Sequence, residues 1–353
     1  MMSATTSARG IVCGIAAGVC FGVTAPLAKR LVAHVPPLPL ASLLYLGAAV
    51  GLTIVGAALP RVRSGGGETP IQSSDRLTLV FMIVIGGLVG PVLMLVGLRH
   101  VSGVTGALLL NLEMPFTVLL AVCLFGEHLG GRALGGAGLV VAAAVWLSAG
   151  PGPLTSDLLG IAALCGACLS WAVDNNLAQR LALRDPIAVA RWKTTGAGLV
   201  GAGLSTAAGY ALPPGYVAAP ALLVGFVGYG ISIVLAIVAI RHLGAARQAA
   251  LFAIAPFVGA VAAIPMLGET AGVRELGVGV LMLLGVLLLV AEDHGHAHDH
   301  DALAHDHVHV HDVHHQHRHD TEAVGEPHAH PHLHSPLRHS HAHRPDAHHR
   351  HRH

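Results

Sequence analysis

Ten apolar runs of about 20 residues, parted by short polar or proline-rich breaks, fill residues 10–291 of this chain. A bilayer core of roughly 30 Å takes about 20 helical residues to cross, and backbone in hydrocarbon must satisfy its own hydrogen bonds. Runs of this kind therefore predict membrane-spanning helices, over 10–28, 39–59, 77–98, 102–125, 133–149, 157–178, 187–208, 218–240, 244–267 and 273–291. The breaks have a chemical cause. Pro36-Pro37-Leu38-Pro39, the polar loop 61–76, Gly150-Pro151-Gly152-Pro153, Arg184-Asp185-Pro186 and Pro213-Pro214-Gly215 interrupt helix or expose polar backbone. Charged residues make up only 11% of the chain, too few to cover a water-soluble surface of this size. A net charge of +1 gives no reason to expect a nucleic-acid partner. Cys13, Cys20, Cys123, Cys165 and Cys168 all lie in apolar runs and read as packing residues, Cys165-x-x-Cys168 included. Residues 1–9 are short and polar, and the run after them lacks a cleavage motif, which predicts a first membrane helix rather than a signal peptide.

The chain also repeats itself. Gly126-Glu127-His128-Leu129-Gly130-Gly131-Arg132-Ala133-Leu134-Gly135 returns as Gly268-Glu269-Thr270-Ala271-Gly272-Val273-Arg274-Glu275-Leu276-Gly277. Arg99-His100 answers to Arg241-His242, Pro115-Phe116 to Pro256-Phe257, and Leu27-Ala28-Lys29-Arg30-Leu31 to Leu177-Ala178-Gln179-Arg180-Leu181. Five spans per half is an odd number, so the second half enters the membrane from the opposite face. The expected fold is thus all-α, with ten transmembrane helices as two inverted five-helix repeats. The halves are 10–149 and 157–291, between a short N-terminus (1–9) and a His-rich tail (292–353). Lys and Arg bias places both termini in the cytoplasm, with Lys29, Arg30, Arg99 and Arg274 on the far side.

With Pro115…Gly126-Glu127 in one half and Pro256…Gly268-Glu269 in the other, the chain resembles the EamA family of the drug/metabolite transporter superfamily over about residues 10–291. The resemblance implies a bacterial inner-membrane carrier, usually an exporter of small metabolites or drugs, working by alternating access. It names no cargo. The strings Asn111-Leu112-Glu113 and Asp174-Asn175-Asn176 look like those of a subset of the family.

Glu113, near the centre of the fourth span, is the leading candidate for a proton or cation site. A central acid costs about 2.5–3.5 kcal/mol to insert and so needs a partner or a wet cavity. Pro115 deprives a nearby carbonyl of its helix donor. Asn111 stands beside Glu113. Asp174, Asn175 and Asn176, after Trp171 in the sixth span, cannot all hide on one helix face. Were Glu113 and Asp174 to converge, they would form an acidic pair able to hold a divalent ion or share a proton. Gln248 could hydrogen-bond cargo. Glu127 and Glu269 read as structural, each suited to the N-terminus of the helix that follows it.

Of 27 His, only His34, His100, His128 and His242 lie outside residues 294–353. The tail has almost nothing apolar to bury and is expected to be disordered. Its alternating His294, His296, His298, His300, His305, His307, His309 and His311 suit Zn, Ni or Co, although no cofactor is required. Three readings follow: an organic-solute carrier, a divalent-metal or metal-complex carrier fed by the tail, and a membrane-anchored metal store or sensor. Its partners would be the lipid bilayer and a small solute or metal ion, with a homodimer left open. No nucleophile–base pair or phosphate loop indicates an enzyme.

Overall fold

The computed structural model describes residues 4–58, 70–125, 130–149, 154–181, 184–243, 248, 251–290, 294–300, 303–309, 328–334 and 337–343. Up to residue 290 the described elements are all helices, without a strand. The helices are α1 (Ala8–Val32), α2 (Pro37–Ala58), α3 (Ser73–His100), α4 (Gly103–Leu120), α5 (Gly131–Ser148) and α6 (Leu158–Ala178). They continue as α7 (Pro186–Ala207), α8 (Gly215–Ala236), α9 (Ala255–Leu267) and α10 (Val273–Val290). Seven of them, α1–α6 and α8, are long and apolar enough to cross a bilayer. The other three pack into the same bundle: α7 on α2, α9 on α4 and α10 on α5. Residues such as Leu199, Leu223, Val261 and Val280 stand exposed on the outside, as a lipid-facing surface requires.

Prolines set several helix starts: α2 opens on Pro37, α7 on Pro186 behind an Asp185 cap, and α8 after Pro214. The expected ninth span, 244–267, is helical at 248, 251 and 252 and again from Ala255, with one interruption among the described residues. Residues 244–247, 249 and 250 lie outside the described residues, and a turn at Ala253-Ile254 precedes Ala255. Pro256 explains the turn, since it has no N–H to give the Phe252 carbonyl. The α2–α8 crossing is backbone against backbone. A Cβ on Gly47 would lie 2.1 Å from the Leu222 carbonyl oxygen, and one on Gly225 would lie 1.9 Å from that of Leu44.

Polar clamps join the helix ends. At one end Lys29 donates to the carbonyls of Leu98 and Val101, where α3 turns into α4. Glu269 accepts from the first two amides of α4, Gly103 (2.7 Å) and Val104 (3.0 Å). This corrects the expected role of Glu269: at the helix after it, α10, the Gly272 amide donates to that helix's own Glu275, and Glu269 caps a helix of the other half. Glu127 lies outside the described residues. Arg274 donates to the carbonyls of Trp146 and Leu147, closing the C-terminal end of α5. At the opposite end Arg184 pairs with Asp75 at 2.8 Å.

The tail is described in four segments. Its described residues form β1 (His294–His300), β2 (Leu303–His309), β3 (His328–His334) and β4 (Leu337–His343). β1 pairs with β4 and β2 with β3, both antiparallel. Alternation of His with other residues has the period of a strand.

Candidate functional site

Four helices lose regular hydrogen bonding around one point in the bundle. α1 breaks at Val23, and Pro26 leaves the Gly22 carbonyl without its fourth-residue donor. α4 tightens to 3-10 geometry over Leu110–Leu112 just before Glu113 and Pro115. There the Glu113 amide reaches back to Leu110, and the Leu109 carbonyl is met instead by the Cys168 thiol at 3.6 Å. α3 and α8 each widen into a π-helical stretch, Met82–Val89 and Phe226–Ile231. In α3 the reason can be followed atom by atom. The Gly90 amide bonds to Ile85, five residues back, so the next donor in that register would be Pro91, which has none. The Gly86 carbonyl is thereby released, and it accepts from Trp171 Nε1 (3.1 Å) and Tyr45 Oη (3.2 Å). Two side chains, one from each half of the chain, replace one lost helix bond.

Between these breaks lies a cavity of about 470 Å³. Phe21, Met94, Asn111, Glu113, Thr117, Trp171, Asn175, Tyr229 and Phe252 line it, so both halves contribute. Its lining along α4 starts at Ala107, because the preceding turn is packed against Leu267 and Ala263 at Gly103. That packing lies between the cavity lining and the Lys29–Glu269 clamp. Glu113 Oε1 accepts from Asn175 Nδ2 at 2.8 Å, and Asn176 donates to the Thr117 carbonyl at 3.1 Å. Phe21 meets Tyr229 edge-on, with ring centres 5.6 Å apart, and Phe252 at 5.2 Å.

Of the residues singled out in the sequence, Glu113, Asn111, Trp171 and Asn175 come together on the cavity wall. Asn111 also donates to the Leu108 carbonyl at 2.9 Å. Asp174 does not join them. It is buried and ion-paired with Lys193 of α7, so the two acids engage different partners rather than each other. A Cβ on Gly86 would lie 2.3 Å from the Asp174 carboxyl carbon, so the π-helical stretch sits directly against this pair. Asn176 is buried beside α4, and Gln248 is buried against α1 at Gly14, away from the cavity lining. The tail histidines have described backbone only, and His311 lies outside the described residues. Among residues with described side chains, no group of three His, Cys, Asp or Glu could hold a metal.

Sequence reasoning missed Lys193, Phe21, Tyr45 and Tyr229. For Lys193 there was a signal: an ammonium inside an apolar helix needs a counter-charge. The aromatic residues gave none, because lipid, core and cavity all accept them.

A bundle of apolar membrane helices enclosing a cavity with a carboxylate on its wall is the architecture of a multi-pass membrane transporter. The model of the EamA-like transporter family matches the chain twice, over residues 8–149 and 158–291, and the chain belongs to that family. A curated protein of Methanothermobacter thermautotrophicus described as an uncharacterized transporter is 28% identical over 299 residues, covering 79% of this chain and 85% of its own length. A protein of known crystal structure shares the fold with a TM-score of 0.56 at 20% identity, over 80% of this chain and 96% of that one.

Proposed function

We propose that this protein is a secondary transporter exporting a small organic solute across the bacterial inner membrane by alternating access, with Glu113 at the cargo and coupling-ion site. The observation that carries the reading is the cavity itself, walled by both halves and holding Glu113 where α4 departs from α-helical geometry. In this reading α1–α10 all cross the bilayer, five per half and inverted, with both termini cytoplasmic. The Lys29–Glu269 clamp then seals the outer end while the cavity loads from within. A carboxyl on the wall can exchange a proton with the loading side, which supplies coupling without a metal. Irregular backbone near mid-membrane, tolerated where it borders a cavity, is where such carriers place their sites.

Proton-driven flux in vesicles of purified protein tests the reading. Glu113→Gln keeps the shape and the hydrogen bond from Asn175 but cannot ionise. It is expected to abolish pH-driven transport, leaving at most a downhill exchange. Unchanged pH-driven flux would remove Glu113 from the mechanism.

A second reading concerns the tail, where the strand register sets His opposite His three times in each ladder. The pairs are His294 with His343, His296 with His341 and His298 with His339, then His305 with His332, His307 with His330 and His309 with His328. In this reading the tail collects Zn, Ni or Co, either to regulate the carrier or to hold metal at the membrane. Deleting residues 294–353 is expected to abolish Ni binding by the purified protein and to leave organic-solute flux intact. Loss of all flux would favour metal or metal-complex cargo instead.

A further inference from the structure

We infer that the cargo is a monovalent organic cation, an ammonium group on an aromatic or branched apolar body. The inference rests on the transporter reading and narrows it. The cavity wall carries one carboxylate, Glu113, and no Lys, Arg or His among its described lining residues. The nearby cation, Lys193, is already neutralised by Asp174. With Glu113 ionised, the described lining residues carry a net charge of minus one, and a bound anion would find no counter-charge among them in a low-dielectric cavity. One oxygen of Glu113 is held by Asn175, which orients the carboxylate. Its second oxygen takes no hydrogen bond among the described residues.

The remaining wall fits the rest of such a cation. Phe21, Trp171, Tyr229 and Phe252 supply aromatic rings, whose negative faces attract a cation within about 6 Å of the ring centre. The Trp171 indole is fixed by its bond to Gly86, and Phe21 is wedged between Tyr229 and Phe252. A small inorganic dication is a poor match. It takes six or more oxygen ligands, or several His, Cys or carboxylate groups, whereas one carboxylate and an apolar wall suit a soft, weakly hydrated charge. A volume of about 470 Å³ falls within the range of small-molecule sites.

Calorimetry on the full chain in lipid nanodiscs can decide, using four probes that share a phenyl ring. Benzyltrimethylammonium and phenethylammonium carry a positive charge, phenylacetamide is neutral and phenylacetate is negative. The two cations are expected to bind at least tenfold more tightly than phenylacetamide, and phenylacetate not measurably. Glu113→Gln should erase the preference, and Phe252→Leu, which keeps an apolar side chain, should cut it several-fold. Should Glu113→Gln fail to fold, the Phe252→Leu result still discriminates. Equal or tighter binding of phenylacetamide or phenylacetate overturns the proposal, as do absent cation binding by folded protein and a preference unaffected by either variant. Vesicle flux separates the two ideas. Cation binding without flux of any probe would sink the transporter reading alone, and flux of neutral or anionic probes without cation binding would sink the cation class alone.

Discussion

Asp174 and Lys193 show how a buried charge in lipid is made tolerable, through a partner on another helix. Removing one partner should cost more than removing both. Lys193→Met alone is expected to lower stability by about 3 kcal/mol, because it strands the Asp174 carboxylate, and Asp174→Asn combined with Lys193→Met should recover much of that. Thermal unfolding in detergent would check this, and equal losses in the single and double variants would refute it. Glu113 was legible in the sequence because an acid is rare in the middle of a span. Its relation to Asp174 was not, because the ion pair depends on how α6 faces α7, which hydropathy does not encode.

At the scale of the element, span positions follow closely from apolar length. The expected 39–59, 133–149 and 187–208 lie within a few residues of Pro37–Ala58, Gly131–Ser148 and Pro186–Ala207. The register of hydrogen bonds inside a span was not legible, since Met82–Val89 is as apolar in π geometry as it would be in α. Only Pro91 marked the place, and only in hindsight. Trp171→Phe removes the stronger-placed donor to Gly86 while Tyr45 remains, so a loss of about 1 kcal/mol is expected in thermal unfolding. Gly86→Ala is expected to be far worse, since the added carbon would collide with the Asp174 carboxyl. Normal expression and melting of Gly86→Ala would contradict this account of the π-helical stretch.

For the whole molecule the informative contact is Glu269 on the amides of Gly103 and Val104, 166 and 165 residues away in sequence. The repeat marked Glu269 as structural, but a local reading assigned it to the next helix, since nothing in a single sequence shows which N-terminus a carboxylate will reach. Glu269→Ala deletes two charge-assisted bonds across the halves, worth about 2 kcal/mol or more together. A cysteine introduced at Ala107 should then react faster with a membrane-impermeant thiol reagent added from the Lys29 face. An unaltered labelling rate would show that the clamp does not hold that end shut.

Neither α5 nor α10 supplies a residue to the cavity wall; they pack on each other and are tied by Arg274. Selection for new cargo can therefore act on Phe21, Met94, Met114 and Phe252 while most of that outer pair is left to answer to folding, Met282 against Asn111 being the contact that reaches the wall. Related carriers should differ in taste through a handful of interior side chains and share their framework, so exchanging those few positions between two of them ought to transfer preference.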